Sequence, residues 1–349
     1  MDSVSTNSKS VSVIVPIRNE ERYIGDCLRS LLQQTYPAAS CEIIVLDGRS
    51  SDKSREIVEG LSRESPHLYC IDNPAGTAPA AMNIGIRQAK GDIIIRTDGH
   101  NVYPENYIEN CVKYLEQTGA DNVGGSLLTV PADSTLGARL VAAMLSNPFG
   151  VGDSRFRISS KEGFVETVPF GAFRREVFDR VGMYNEKLVR NQDNELNARI
   201  RSAGGKIYQT PALRTTYHPV AGFVQLLKQT YRNSQWHVFS VRENSHAMGL
   251  RHFVPAMFLI CLAGLSLASA ADIWARYALV ASVVLYLLTG LMFAIRQVRD
   301  RDWFVALTIP VACFVFHLAY GLGTLAGLRY LLMSPPSTPI RAGQRVSEH

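Results

Sequence analysis

The sequence contains no C-x-x-C pair. Its six cysteines, Cys27, Cys41, Cys70, Cys111, Cys261 and Cys313, are scattered, two of them in apolar C-terminal stretches, and read as core thiols in a reducing compartment. Charge is scarce as well. Only 19% of residues are charged, the formal net charge is +5, and no dense Lys/Arg stripe interleaves with aromatics, which excludes a nucleic-acid-binding footprint. No G-x-G-x-x-G follows the first apolar run, so a dinucleotide cofactor is disfavoured. The opening M-D-S-V-S-T-N-S-K-S has no apolar h-region. No cleaved signal peptide is therefore expected, and the first domain is expected to stay in the cytosol.

What the chain has in excess is apolar residues, 46% of 349, and they gather at one end. The length allows one large domain with an appendage, or two domains. Three stretches, close to Phe253–Ala271, Trp274–Ile295 and Phe304–Gly327, each approach the ~20 residues that cross a hydrocarbon core of ~30 Å. Buried helices of a soluble protein are the rival reading, disfavoured because three nearly uncharged runs follow one another. The first two are joined by a few residues and form a tight hairpin. Arg296, Arg299 and Arg301 lie between the second and third, which puts that link on the cytoplasmic side with the first domain. Three spans would leave the C-terminus outside, and Arg329, Arg341 and Arg345 count against that. Ahead of the spans, residues 220–252 carry Phe223, Leu226, Leu227, Tyr231 and Trp236 among basic and amide groups. They read as an interfacial amphipathic helix or as a surface helix of the globular domain. The expected organisation is a cytosolic domain over 1–219, an interfacial segment over 220–252, membrane helices over 253–333 and a tail over 334–349.

Within the first domain, strand and helix signals alternate. V-S-V-I-V-P (11–16), E-I-I-V-L-D (42–47), L-Y-C-I-D (68–72) and D-I-I-I-R-T (92–97) read as buried strands. Helices are expected from about Glu20 to Gln34, with Tyr23, Cys27, Leu28, Leu31 and Leu32 on one stripe, then after a cap at Ser51 or Asp52 with Ile57, Val58 and Leu61 inside, then through Ala80 to Ala89. Four β-then-α steps imply an α/β fold, a mostly parallel sheet with helices on both faces. Such sheets bind ligands outside the carboxyl ends of their strands. Three of those ends are polar: Pro16-Ile17-Arg18-Asn19-Glu20, Asp47-Gly48 and Asp98-Gly99-His100. After Asp121 the pattern loosens. Gly124-Gly125 and Asn147–Gly163 read as loops, residues 169–178 run into a helix, and Asn191-Gln192-Asp193-Asn194-Glu195 opens another, with Leu196, Ile200 and Ala203 inside.

The D-G-H end poses a chemical question, since it delivers a carboxylate and an imidazole two residues apart. Both ligate manganese, whereas oxygen ligands alone suit magnesium. Taken in order, V-S-V-I-V-P-I-R-N-E-E, E-I-I-V-L-D-G-R-S-S-D-K-S, A-A-M-N-I-G, G-D-I-I-I-R-T-D-G-H, G-A-F-R-R-E-V-F, Q-D-N-E-L and Q-T-Y-R-N-S-Q-W make the N-terminal part resemble a family 2 glycosyltransferase of GT-A fold. The D-G-H variant, with H-L-A-Y-G-L-G-T-L-A-G (317–327), is most similar to the succinoglycan biosynthesis glucosyltransferase branch.

The resemblance implies a nucleotide-sugar donor, most often UDP-linked. Pro16, Arg18 and Glu20 match the nucleotide-contacting loop, and Asp47 matches the carboxylate that reads the uracil edge. Asp52 matches a second acid or is a helix cap, and Asn83 is a donor-side polar residue or a structural one. Asp98 matches the carboxylate that faces the donor's divalent cation, Mn2+ favoured over Mg2+, with Gly99 letting backbone approach the diphosphate. His100 stands where the family usually has a second Asp, as a metal ligand, a hydrogen-bond donor to the diphosphate or a group shaping the pocket. Asp193 is the implied general base, with Gln192 replacing the first acid of a pair, Glu195 as the lesser candidate, and an N-terminal helix acid as the other reading. Gln229, Arg232, Gln235 and Trp236 resemble the Q-x-x-R-W element near diphosphate and acceptor, at stretched spacing.

The function expected is inverting transfer of a hexose, glucose first, to a lipid-linked saccharide such as a polyprenyl-diphosphate sugar in exopolysaccharide assembly. The enzyme is expected as a multi-pass protein of the cytoplasmic membrane. A polyprenyl-phosphate glycosyltransferase, a processive synthase and an inactive nucleotide-binding scaffold are the alternatives.

Overall fold

A computed structural model describes residues 9–159, 161–297 and 302–333. The 334–349 tail and the basic residues Arg299, Arg301, Arg341 and Arg345 lie outside the described residues. In chain order the elements are β1 (Val11–Ile17), α1 (Ile24–Leu32), β2 (Cys41–Asp47), α2 (Ser54–Glu64), β3 (Leu68–Asp72), α3 (Ala78–Gln88), β4 (Ile93–Arg96), α4 (Tyr107–Thr118), β5 (Asn122–Gly124), β6 (Leu127–Thr129), α5 (Leu136–Leu145), α6 (Pro148–Val151), α7 (Arg155–Ile158), β7 (Gly163–Phe164), β8 (Ala172–Arg174), α8 (Arg175–Val181), α9 (Gln192–Ser202), β9 (Ile207–Gln209), β10 (Thr215–Tyr217), α10 (Phe223–Glu243), α11 (Val254–Ala268), α12 (Ile273–Gln297) and α13 (Trp303–Met333).

The chain divides into two units, residues 1–128 with 159–216, and residues 129–158 with 217–349. The first is built on an eight-stranded sheet of order β3-β2-β1-β4-β8-β5-β9-β7. β1 to β4 are mutually parallel, and the β-branched residues of β1, β2 and β4 are buried on both faces, as a covered parallel sheet requires. One face packs on Cys27, Leu28 and Leu31 of α1 and Ile108, Cys111 and Leu115 of α4. The other packs on Met82 and Ile86 of α3, Val177 of α8, and Leu196 and Ile200 of α9. Ile17 lies opposite Asp47, so β1 and β2 end level. β4 runs parallel beside β1, and its polar end, Asp98-Gly99-His100, opens at the same edge.

Several sequence expectations are corrected here. Ala172–Arg174, within the run expected to enter a helix, is a strand lying antiparallel between β4 and β5, which makes the sheet mixed. Gly124 ends a strand rather than lying in a loop. Tyr23 precedes α1 and is exposed, and Ala203 lies beyond α9 and is exposed, because both helices are shorter than their apolar periodicity suggests. The expected 1–219 domain is interrupted. Residues 129–158 group with the C-terminal helices because Val141, Met144 and Leu145 of α5 share a core with Ala306, Ile309 and Cys313 of α13.

In the second unit, α10 buries Leu226, Thr230, Ser234 and Val238 at four-residue spacing, together with Phe239 and Ser240, and Phe223 and Leu227 pack against the same core as Leu226. Ser234 and Tyr231 approach α13 so closely that a Cβ at Gly323 would lie 2.1 Å from Ser234 Oγ and 2.2 Å from the Tyr231 carbonyl. Gly327 and Gly321 make similar approaches to Gln235 and Pro255. The 317–327 motif is thus a small-residue packing seam. At its N-terminal end the Tyr320 hydroxyl lies 2.6 Å from His237 Nδ1 and 3.2 Å from His252 Nδ1.

Three helices are long and apolar enough to cross a membrane: Leu250–Ala268, Ile273–Gln297 and Trp303–Met333. Of the most apolar window of α12 only 11% is buried, and Trp274, Tyr277, Val280, Leu285 and Leu288 face outward. A soluble bundle would turn these residues inward, so lipid is the medium that fits this exposure.

Candidate active site

The loops after β1 and β2 are fastened together before any ligand is considered. Asn19, in a left-handed conformation (φ 57°), accepts the Ser51 N–H at 2.8 Å through its side chain, and its own N–H donates to Ser50 Oγ at 3.0 Å. The Glu20 N–H donates to Ser54 Oγ at 2.7 Å, and the Glu21 N–H donates to Asp52 at 3.0 Å. Asp52 also accepts the Ser54 N–H at 3.0 Å, at the start of α2. Asp52 thus ties the two loops together. Asp47 is buried, accepts the Ser50 N–H at 3.1 Å and lies 3.7 Å from an Arg55 nitrogen. Pro16, Arg18, Glu20 and Asp47 come together at this edge, with the Arg18 guanidinium beside Gly76 and the Arg18 Cβ beside Gly48.

Asn83 is elsewhere engaged. Its amide donates to the Tyr184 carbonyl at 2.9 Å and to Glu186 at 2.8 Å, and its oxygen accepts the Tyr184 N–H at 2.9 Å. These contacts clamp the 184–186 loop to α3. Glu195 is likewise structural. It holds Arg199 through both oxygens, at 2.8 and 2.9 Å, and Arg199 in turn donates to the carbonyls of Val181, Gly182 and Met183.

At the end of β4 the Asp98 N–H donates to the buried Tyr103 hydroxyl at 2.9 Å. Gly99 is required by packing, since a Cβ there would lie 2.7 Å from the Ile17 side chain. His100 Nδ1 lies 3.3 Å from Glu20 Oε1. Glu20 raises the imidazole pKa, burial opposes the rise and Asp98 adds to it.

One residue that the sequence does not single out, Arg96, completes the site. Arg96 alternates with Ile95, so it shares the face of Ile94, where α9 and Tyr184 pack. Its guanidinium is buried and ion-pairs with both Asp193, in close contact, and Asp98, at 3.4 Å. A charged residue ending a buried strand must find partners, and that signal was available in I-I-I-R. Asp193 lies in the first turn of α9, and its neighbours on that helix join an amide network: Asn194 accepts from Thr167, Thr167 accepts from Asn197, and Asn197 accepts from Asn122. Burial pushes the Asp193 carboxyl above the ordinary carboxylate range, with Arg96 opposing and Asp98 adding to the rise. A third of its side chain, 32%, remains open to an incoming group.

The metal question can be tested on these donors. Among the described residues no group of three or more His, Cys, Asp or Glu side chains is gathered to hold an ion. A protein-only cage does not fit. An ion completed by ligand oxygens does, because Asp98 touches Arg96 only loosely and 21% of its side chain is open. His100 carries a carboxylate on Nδ1, the arrangement that leaves Nε2 for a ligand. Gln229, Arg232, Gln235 and Trp236 all lie on α10, half-buried, in the second unit.

Residues 12–182 match the family model for glycosyl transferase family 2. A succinoglycan biosynthesis protein of Rhizobium meliloti (strain 1021) is 30% identical over 257 residues, covering 73% of this chain and 77% of that protein. A dolichyl N-acetyl-alpha-D-glucosaminyl phosphate 3-beta-D-2,3-diacetamido-2,3-dideoxy-beta-D-glucuronosyltransferase of Methanococcus voltae is 24% identical over 91% of this chain and 97% of its own. Among solved structures, a mannosyltransferase from Pyrobaculum calidifontis in complex with GDP-Man and Mn2+ superposes with a TM-score of 0.61 at 20% identity, covering 90% of this chain and 88% of its own. With the sheet, its polar edge and these relatives in agreement, the chain is a glycosyltransferase of GT-A fold and belongs to glycosyl transferase family 2.

Proposed function

We propose that this glycosyltransferase inverts configuration and moves a hexose, glucose first, from a UDP-linked donor to a lipid-linked saccharide at the cytoplasmic membrane. The observation that carries the reading is the convergence of Asp193 and Asp98 on one buried arginine at the carboxyl edge of the sheet. Pro16, Arg18, Glu20 and Asp47 bind the nucleotide. Asp98 and His100 are the residues that would hold a divalent cation, Mn2+ before Mg2+ because of the imidazole. When bound, such a cation supplies charge neutralisation at the leaving diphosphate. Asp193 takes the proton of the acceptor hydroxyl. The acceptor oxygen bonds to the anomeric carbon, the carbon–oxygen bond to the diphosphate breaks, and the nucleoside diphosphate carries off the electron pair. Attack opposite the nucleotide turns an α-linked donor into a β-linked product.

The membrane-crossing helices and the dolichyl-linked substrate named for the Methanococcus relative support a lipid-linked acceptor. The pair of residues Gln229 and Arg232 is assigned to diphosphate, and Gln235 and Trp236 to the acceptor sugar. Incubating membranes that contain the protein with a panel of UDP- and GDP-sugars tests the reading. Lipid-dependent consumption of a UDP-hexose is expected. Consumption of GDP-sugars alone contradicts the donor, and long polymeric product contradicts single-sugar transfer.

A further inference from the structure

Arg96 is a buried cation shared by two carboxylates to which the proposed function gives different tasks. We propose that Arg96 is a positioning residue that couples the base to the donor end of the site, one arm of its guanidinium fixing Asp193 and the other holding Asp98 until the donor arrives. This rests on reading Asp193 as the base and Asp98 as the donor-facing carboxylate.

The backbone of Arg96 is fixed in the sheet, where its N–H donates to the Gly171 carbonyl at 3.0 Å. Only the planar fork of an arginine presents two nitrogens at once to two carboxylates; a lysine is a point charge. The two contacts are unequal. That to Asp193 is close, and that to Asp98 is 3.4 Å. Asp98 can thus turn toward a donor-bound cation without unseating Asp193. The charge count agrees: one cation serves two anions before the donor binds, and a neutral Arg96–Asp193 pair remains afterwards. The buried Arg96 Nε has no hydrogen-bond partner among the described residues, and the Tyr184 hydroxyl is a neighbour of the guanidinium. Removing the fork therefore mislays the base more than it weakens the nucleotide.

The test uses the full chain in detergent, with UDP and Mn2+ as binding probes and the donor that the sugar panel selects for turnover. Arg96→Lys is expected to lower kcat at least 30-fold, while KM for the donor and the Kd for UDP with Mn2+ stay within threefold. A near-normal kcat, or a loss falling equally on UDP affinity, overturns the proposal. Folding is checked separately. Arg96→Met is expected to lower the melting temperature, and adding Asp193→Asn to restore part of it, because the double variant no longer leaves that carboxylate without its counter-charge. No recovery overturns the pairing. If Asp193→Asn alone turns over normally, the base assignment fails and the kinetic half of this proposal with it. An inactive Asp193→Asn beside an active Arg96→Lys overturns the coupling alone.

Discussion

At the scale of single residues, the site is set by which carboxylates have other work. Asp52, Glu195 and the Asn83 amide are bound up in loop and helix contacts, whereas Asp193 and Asp98 keep open surface and share Arg96. The environment of Asp193 has a pH consequence. Burial, the largest influence, raises its pKa above the ordinary aspartate value of about 3.9, and Arg96 limits the rise. A base works deprotonated, so activity should be lost as pH falls through that raised pKa. The acid limb of kcat/KM is expected above the ordinary aspartate range, and Arg96→Met should move it higher still by removing the opposing cation. A limb at or below about 4 in the wild type would contradict the assignment.

At the scale of elements, the four parallel strands and the helices between them were legible because β-branched runs and apolar stripes follow their own periods. β1 to β4 lie within a residue or so of where the pattern puts them. What was not legible depends on partners distant in sequence. Ala172–Arg174 is a strand because β4 and β5 each offer it an edge, and α5 leaves the first domain because α13 covers its apolar face. Arg96 escaped notice for the same reason, since its partner Asp193 lies 97 positions away. The α10–α13 seam gives an element-scale prediction. Gly323→Ala drives a methyl into Ser234 and the Tyr231 carbonyl, whereas Gly264→Ala meets nothing within 4 Å. Overpacking of this kind costs about 1–3 kcal/mol. In detergent the melting temperature of Gly323→Ala should fall clearly below wild type, with Gly264→Ala unchanged; equal values would refute the seam.

At the scale of the whole molecule, the chain combines a sheet-based glycosyltransferase unit with a helical unit whose outward surface is apolar. α12, at 25 residues, is about 37 Å long, and α13, at 31 residues, is about 46 Å, both beyond a ~30 Å hydrocarbon core. α11, at 15 residues, reaches only about 22 Å, so it needs the preceding turn from Leu250 to approach the span. The protein is expected to stay with the membrane pellet through high-salt and alkaline carbonate washes and to leave it only with detergent. Release by carbonate would mean that the apolar helices are covered by protein instead of lipid.

The account stands most directly on Asp193. The measurement is turnover of Asp193→Asn at saturating donor, alongside the affinity of the same preparation for UDP with Mn2+. General-base catalysis contributes about 10²–10⁴-fold, so a loss of at least a hundredfold with UDP affinity intact is expected. Near-normal turnover would contradict the account and favour an acceptor that is already anionic, such as a polyprenyl phosphate, which needs no base.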